Sequence, residues 1–387
     1  MKKQIQLYLL PILCLGLLSC EAERTEPLHG NYKLSIQDVL SIPANNRFSY
    51  RAGNVQFEYL PFAENQVAVM QTRRNKIEIY DLADDSLVYS LTFPFDGPNR
   101  LASSPTAFHF ISADSLLVAS IESSTLHLFN RDGEKLKQFQ LNTYNESENS
   151  VLVPYITGTP LSIHKIGSKV YLPGLTIQGA NLEGANQLFE IDLATEEIKE
   201  ILPRPKPYAD VYYVVHDFTA VHLAKRNNTL VLSPVVSNYL ETVNNGKSAY
   251  QYAGSNYFDT IPFYSANPPE GLNWDIVNKA TSTSPRFSAI YYDRFRDVFY
   301  RVAITPPSLD QYLIEKKAVK HFSIIVLNSD FEKIGETIID HEKYDLTGLF
   351  ITQEGLCIFN KEKYGQNEDR LSFDVFALEE IEEGQIQ

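Results

Sequence analysis

Asn75–Pro94 reads NKIEIYDLADDSLVYSLTFP, and it is the unit the chain repeats. Ile77 and Ile79 alternate with Glu78 and Tyr80, the period-two pattern of a half-buried strand. Asp81-Leu82-Ala83-Asp84-Asp85 interrupts the run with turn formers. Leu87, Tyr89, Leu91 and Phe93 resume it, with Val88, Ser90 and Thr92 on the other face. The stretch is read as a β-hairpin with a connection of a few residues.

The hairpin recurs outward in both directions, and self-similarity of this kind decides architecture. Thr125–Leu141 turns at Asn130-Arg131-Asp132-Gly133, Gln187–Leu202 at Ala194-Thr195-Glu196-Glu197, and Phe322–Ile339 at Asn328-Ser329-Asp330. A weaker copy at Asn238–Ala253 turns near Asn244-Asn245-Gly246, and Leu371–Leu378 is a first half alone. Short apolar runs precede each copy: Val67–Met70, Leu116–Ala119, Val170–Leu172, Leu230–Leu232, Val298–Ala303 and Leu356–Phe359. The expected fold is all-β: a β-propeller of six blades, with seven as the next count, each of three to four strands at a spacing of roughly 50 residues. A sandwich or a solenoid is the plainer alternative. The last unit lacks an outer strand, and a segment within Asn31–Tyr50 is expected to supply it and close the ring.

The start of the chain has a different character. Lys2 and Lys3 precede the apolar run Leu7–Leu18, which is short for a bilayer span. Leu17-Leu18-Ser19-Cys20 resembles the bacterial lipobox. The resemblance implies a signal peptide over residues 1–19, lipidation of Cys20, a tether over 20–30 and a single domain over 31–387. Two or three acyl chains would hold such a protein durably, where one holds only marginally. The expected location is the outer membrane or cell envelope, with the domain facing the periplasm or the surface. Glu21 and Glu23 bear a slight likeness to the acidic residues that follow the Cys in surface-export signals.

Composition narrows the function classes. The formal charge is −14, or −16 once Lys2 and Lys3 leave with the leader. An acidic surface of this kind repels phosphate backbones, which argues against nucleic acid as a partner. It also repels anionic headgroups, so membrane attachment falls to the lipid. With Cys14 in the leader and Cys20 acylated, Cys357 in GLCIF is the remaining thiol, read as a small buried hydrophobe.

Several catalytic motifs fail on inspection. Gly246-Lys247-Ser248 ends like a phosphate loop, but Glu241 stands where its first glycine belongs. His341-Glu342 begins HExxH and meets Asp345 instead of the second histidine. Ser162-Ile163-His164-Lys165 fits SxxK but leads into a strand. The eight histidines are scattered; His216 and His222 on one strand would stand about 20 Å apart, so each is read as solvated or hydrogen-bonded.

Two segments attract more interest. Ala289–Ile304, AIYYDRFRDVFYRVAI, places Asp293-Arg294-Phe295-Arg296-Asp297 between two strand-like runs, where opposite charges are expected to pair across a tight turn. Ser248–Arg286 is the longest interval between units and carries many aromatic residues. Tyr257, Phe263, Tyr264 and Trp274 are its candidate partner-binding residues, since rings with polar edges suit sugars, peptides or protein surfaces.

The lipobox and YYDRFRDVFYRV at Tyr291–Val302 resemble a family of Bacteroidota lipoproteins with a propeller-like fold and no agreed activity. The likeness implies a fold and a location. The functional expectation is a lipid-anchored binding or scaffolding module for a protein, peptide or glycan partner, with no catalytic residues and no cofactor. The alternative is a hydrolase or lyase with an axial Ca²⁺ or Zn²⁺.

Overall fold

The computed structural model describes residues 30–44, 55–120, 122–141, 143–145, 150–154, 163–177, 186–203, 218, 220–259, 261, 282–306 and 321–381. Strand β1 (Tyr32–Pro43) comes first. A four-stranded meander follows: β2 (Val55–Tyr59), β3 (Gln66–Gln71), β4 (Lys76–Asp81) and β5 (Ser86–Thr92). A second contains β6 (Ala107–Ser112), β7 (Ser115–Ser120), β8 (Thr125–Asn130) and β9 (Lys135–Gln140). The third sheet holds β10 (Thr143–Asn145), β11 (Ser150–Pro154), β12 (His164–Ile166), β13 (Lys169–Ile177), β14 (Asn186–Asp192) and β15 (Ile198–Pro203), with both β11 and β12 on β13. The fourth is β16 (Val221–Arg226), β17 (Thr229–Pro234), β18 (Tyr239–Asn244) and β19 (Lys247–Tyr252).

The remaining strands are β20 (Arg286–Asp293), β21 (Val298–Thr305), β22 (His321–Leu327), β23 (Lys333–Ile339), β24 (Tyr344–Ile351), β25 (Leu356–Asn360) and β26 (Arg370–Glu380). With β1 they form an eight-stranded sheet in the order β20-β21-β22-β23-β1-β26-β25-β24. β1 runs antiparallel to β26 from Tyr32–Glu380 to Pro43–Arg370, so the segment expected to complete the last unit does pair with it. Its contact with β23 is much slighter: one parallel register pair, Tyr32–Gly335, and a hydrogen bond from Leu34 N to Thr337 Oγ1 at 2.8 Å.

The arrangement is propeller-like: four separate sheets and the eight-stranded one, packed in succession. Phe57 and Val69 of the first sheet share a cluster with Ile42, Phe350 and Phe373 of the last. Ile77 and Phe93 pack on Phe108 and Phe129, Leu126 on Val170 and Ile191, and Leu188 on Leu223 and Leu232. Val231 meets Phe287 and Phe299, and Tyr300 and Ile324 meet Leu349 and Phe376. Each cluster lies between consecutive elements of the chain, and the one around Phe57, Phe350 and Phe373 joins its end to its beginning.

The hairpin turns form where the sequence placed them, and for a local reason. Asp81 Oδ1 accepts from Ala83 N (2.9 Å) and Asp84 N (3.1 Å). Asn130 Oδ1 accepts from Asp132 N and Glu134 N, Asp192 Oδ1 from Ala194 N, and Asn328 Oδ1 from Asp330 N and Glu332 N. These are Asx turns, in which the side chain satisfies the backbone that a strand would otherwise pair.

The half-buried reading of Ile77–Tyr80 is corrected. β4 is covered on both faces, and Glu78 is fully buried beside Ile77 and Ile79. A sheet sandwiched between neighbours has no solvent face for its middle strands. Glu78 is tolerated because Gln71 Nε2 (3.0 Å), Lys76 Nζ (2.6 Å) and Tyr80 Oη (3.1 Å) all donate to its carboxylate. A short helix, α1 (Lys361–Gln366), also interrupts the β25–β26 connection. Asn360 caps it, its side chain accepting from Lys363 N.

Candidate functional site

The aromatic loop can be followed only at its ends. Phe263, Tyr264 and Trp274 lie outside the described residues, as do Cys20 and His216. Tyr257 is 43% exposed. The segment leading to it is pinned to β23: Ser255 Oγ and Asn256 N donate to the two carboxylate oxygens of Glu336 at 2.6 and 2.7 Å. Ser323 Oγ and Lys333 Nζ complete that cluster at 2.6 Å each. His222 is buried rather than solvated; burial, then the Arg301 charge, push its imidazole down to about 3, against the hydrogen bond it donates to the Phe287 backbone.

A different place gathers side chains from around the whole molecule. An open cavity of about 260 Å³ lies where β2, β6, β12, β16, β20 and β24 meet. β2, β6, β16 and β20 each open their sheets, β12 is the side strand paired to β13, and β24 lies at the far edge of the eight-stranded sheet, so every sheet contributes. The mouth is edged by Pro61 after β2 and by Arg294 and Phe295 in the β20–β21 turn. The aromatic loop enters β20 at Arg286, the opposite end of that strand from this turn.

One wall is polar. Glu58 of β2 holds His109 of β6, with Nδ1 2.8 Å from Oε1, and Glu58 Oε2 accepts from Phe110 N at 3.2 Å. The His109 ring lies 6.1 Å from that of His164, edge to face. His164 Nε2 is 3.1 Å from Leu223 O, so this nitrogen carries the proton. Burial, helped by His109 and Lys225, pushes the His164 imidazole down to about 3 and keeps it neutral. Lys225 of β16 donates to Lys165 O at 2.9 Å, and burial followed by the Lys165 charge lowers its ammonium below the usual range.

The facing wall is apolar and aromatic: Ile290, Tyr291, Leu349, Phe350 and Ile351 from β20 and β24. Burial raises the Tyr291 hydroxyl, so it stays protonated. Tyr292 turns its hydroxyl to Asp297 (2.7 Å), which also takes Arg226 in a two-pronged pair at 2.7 Å.

The charged turn behaves as its alternation suggested. Asp293 pairs with Arg296 at 3.0 Å and accepts from the backbone of Phe295 and Arg296. Arg296 then ties the turn to Gln353 O at 2.7 Å. Arg294 is the exception: its guanidinium lies over the rings of Phe295 (4.8 Å) and Tyr59 (5.9 Å) at the cavity mouth. So Tyr291–Phe295, singled out for its charges, borders the site, whereas Glu58, His109, His164 and Lys225 gave no sequence signal. They sit in separate strands and come together only when the sheets do. Among the described residues, no three His, Cys, Asp or Glu side chains are placed to hold a metal ion.

Comparison with known proteins gives a consistent picture. A family model described as a domain of unknown function, DUF4221, matches residues 31–338. The crystal structure of a DUF4221 member from Bacteroides vulgatus superposes with a TM-score of 0.68 at 21% identity, over 91% of this chain and 99% of that one. A putative exported protein from Bacteroides fragilis gives 0.53 at 9% identity, over 90% and 95%. Both share the fold. No curated protein matches the chain.

Proposed function

We propose, from the premise that this chain belongs to the DUF4221 family, that it is a lipid-anchored β-propeller of the cell envelope that captures a ligand in its axial funnel. The observation that carries this reading is a cavity to which six strands, drawn from all five sheets, each contribute. That convergence, with β1–β23 joined by one register pair, also supports counting the eight-stranded sheet as two blades and the whole as six. Propellers present such a funnel as a rigid site on a fixed frame, and clefts mixing apolar walls with a few polar groups are where small ligands bind. At about 260 Å³ the funnel suits a small molecule or the terminal group of a larger partner, peptide or glycan. Tyr257, which is exposed, is proposed as a second contact for such a partner, together with Phe263, Tyr264 and Trp274 of the same aromatic-rich segment.

The anchor rests on the Leu17–Cys20 motif; no helix among the described residues is long and apolar enough to cross a membrane. One arrangement favours a second, catalytic reading. Glu58 orients His109 so that Nε2 is left to take a proton, as in a general base.

The test incubates the immobilised protein with envelope extract and identifies eluted ligand by mass spectrometry. Arg294→Ala and Phe295→Ala alter only the exposed mouth, and together they should cut capture at least tenfold with the melting temperature unchanged. Equal capture by wild type and variant would remove the funnel as the site. Ligand recovered in chemically altered form, with alteration lost in His109→Ala, would favour the catalytic reading. Mass spectrometry of the membrane fraction should find an acylated Cys20, and Cys20→Ala should release the protein.

A further inference from the structure

The two walls of the funnel differ in a way that specifies its ligand. Three groups on or at the cavity are polar, oriented and unmatched. Among the described residues Lys225 makes one hydrogen bond, to a neutral carbonyl, and forms no ion pair. Arg294 rests on aromatic rings and pairs with no carboxylate among the described residues. Among the described residues the Tyr291 hydroxyl has no hydrogen-bond partner, and Tyr291 lines the cavity. In a chain with 48 acidic residues against 34 basic ones, cations are ordinarily neutralised by near neighbours. Here Glu58, the one carboxylate among the described residues that line the cavity, is already engaged by His109 and the Phe110 amide. Lys225 is half-buried, so its charge is costly without a counter-ion.

The strand order places two of these groups, Lys225 and Tyr291, on adjoining strands. Lys225 lies on β16 and Tyr291 on β20, the opening strands of neighbouring sheets, and β16 packs directly on β20. Beyond Tyr291 the wall carries Ile290, Leu349, Phe350 and Ile351, with nothing to hydrogen-bond the ring of hydroxyls a sugar presents.

We infer, on the reading that the funnel is a binding site, that it takes a small apolar carboxylate. Lys225 and the Tyr291 hydroxyl hold the carboxylate, Arg294 draws it in at the mouth, and Leu349, Phe350 and Ile351 receive its apolar body. A free organic acid and the C-terminal residue of a peptide share this chemistry, and the funnel volume accommodates either.

Calorimetric titration of the full chain tests the inference with four probes: phenylacetate, N-acetylphenylalanine and the primary amide of each. Both acids should bind at least tenfold more tightly than their amides. Lys225→Met, which keeps the length of the stem, should remove that preference while leaving amide binding and the melting temperature as they are. Tyr291→Phe should lower acid affinity severalfold. Tighter binding of phenylacetate assigns a free acid as the source, and tighter binding of N-acetylphenylalanine assigns a peptide terminus. Acid and amide binding equally would overturn the carboxylate while leaving the funnel as a binding site. No binding of any probe at millimolar concentration, or an acid preference that survives Lys225→Met, would overturn the inference; the extract experiment above then decides the broader reading independently.

Discussion

Asp374 is 1% exposed and surrounded by donors: Tyr344 Oη at 2.6 Å, Lys363 Nζ at 2.6 Å, Asn360 Nδ2 at 3.1 Å, with Lys343 Nζ at 3.4 Å. Burial alone would raise its carboxyl, but the hydrogen bonds from Lys363 and Tyr344 prevail and hold it below the usual aspartate range. A depressed folded-state value means that this group adds stability above its unfolded value, near 3.9, and that the contribution is lost as pH falls through the folded value. Asp374→Asn should therefore cost about 1–3 kcal/mol at neutral pH. Thermal melts of the two proteins should converge as pH falls below about 4; a constant gap down to pH 2 would contradict this. Cys357 illustrates the simpler end of this scale. It has no exposure, its thiol is pushed up to about 12 chiefly by burial, and the apolar run GLCIF already pointed to an inert interior position. Asp374 was illegible by comparison, because its partners come from Tyr344, Asn360 and Lys363, which a linear reading does not bring together.

At the level of strands and turns, local chemistry was the legible part. Asp81, Asn130, Asp192 and Asn328 each announce a turn that their own side chains then close. Burial on the second face was not legible, since alternation in Ile77–Tyr80 reports one strand and not the sheet laid against it. Nor was α1, whose six residues carry no apolar period. The seam between β1 and β23 is where an element-scale substitution bites. A Cβ at Gly335 would stand 2.2 Å from Tyr32 O and 2.9 Å from Tyr32 C, both backbone atoms. Gly335→Ala should thus destabilise by about 1–3 kcal/mol through forced separation of the two strands. Gly365→Ala, with nothing within 4 Å and a place in α1, should be neutral or stabilising by up to about 1 kcal/mol. Urea titration of both variants distinguishes a crowded seam from a general intolerance of alanine.

For the molecule as a whole, repetition was readable and convergence was not. The sequence shows similar hairpins, and stacking them follows from the need to bury both faces of small sheets. The funnel has no such signature: Glu58, His109, His164, Lys225 and Tyr291 occupy ordinary positions in strands that meet only once the ring exists. That ring is held shut by β1 against β26. A chain lacking residues 1–44 should expose the edge of β26 and associate, because an uncovered strand edge pairs with what it meets. Light scattering after size exclusion should show oligomers, and a synthetic peptide of residues 31–44 should restore the monomer. A truncated chain that stays monomeric and melts as the intact one does would show that the pairing is dispensable.

The same pairing sets the order of events when the protein is made. Tyr32–Pro43 leaves the ribosome well ahead of Arg370–Glu380, its partner. At about 5–20 residues per second, translation leaves roughly tens of seconds between the two. Throughout that interval the earliest strand has no mate, with Leu34 and Ile42 still awaiting the surfaces that will cover them. A nascent chain in this condition has an uncovered strand edge open to wrong pairing until its last strand arrives.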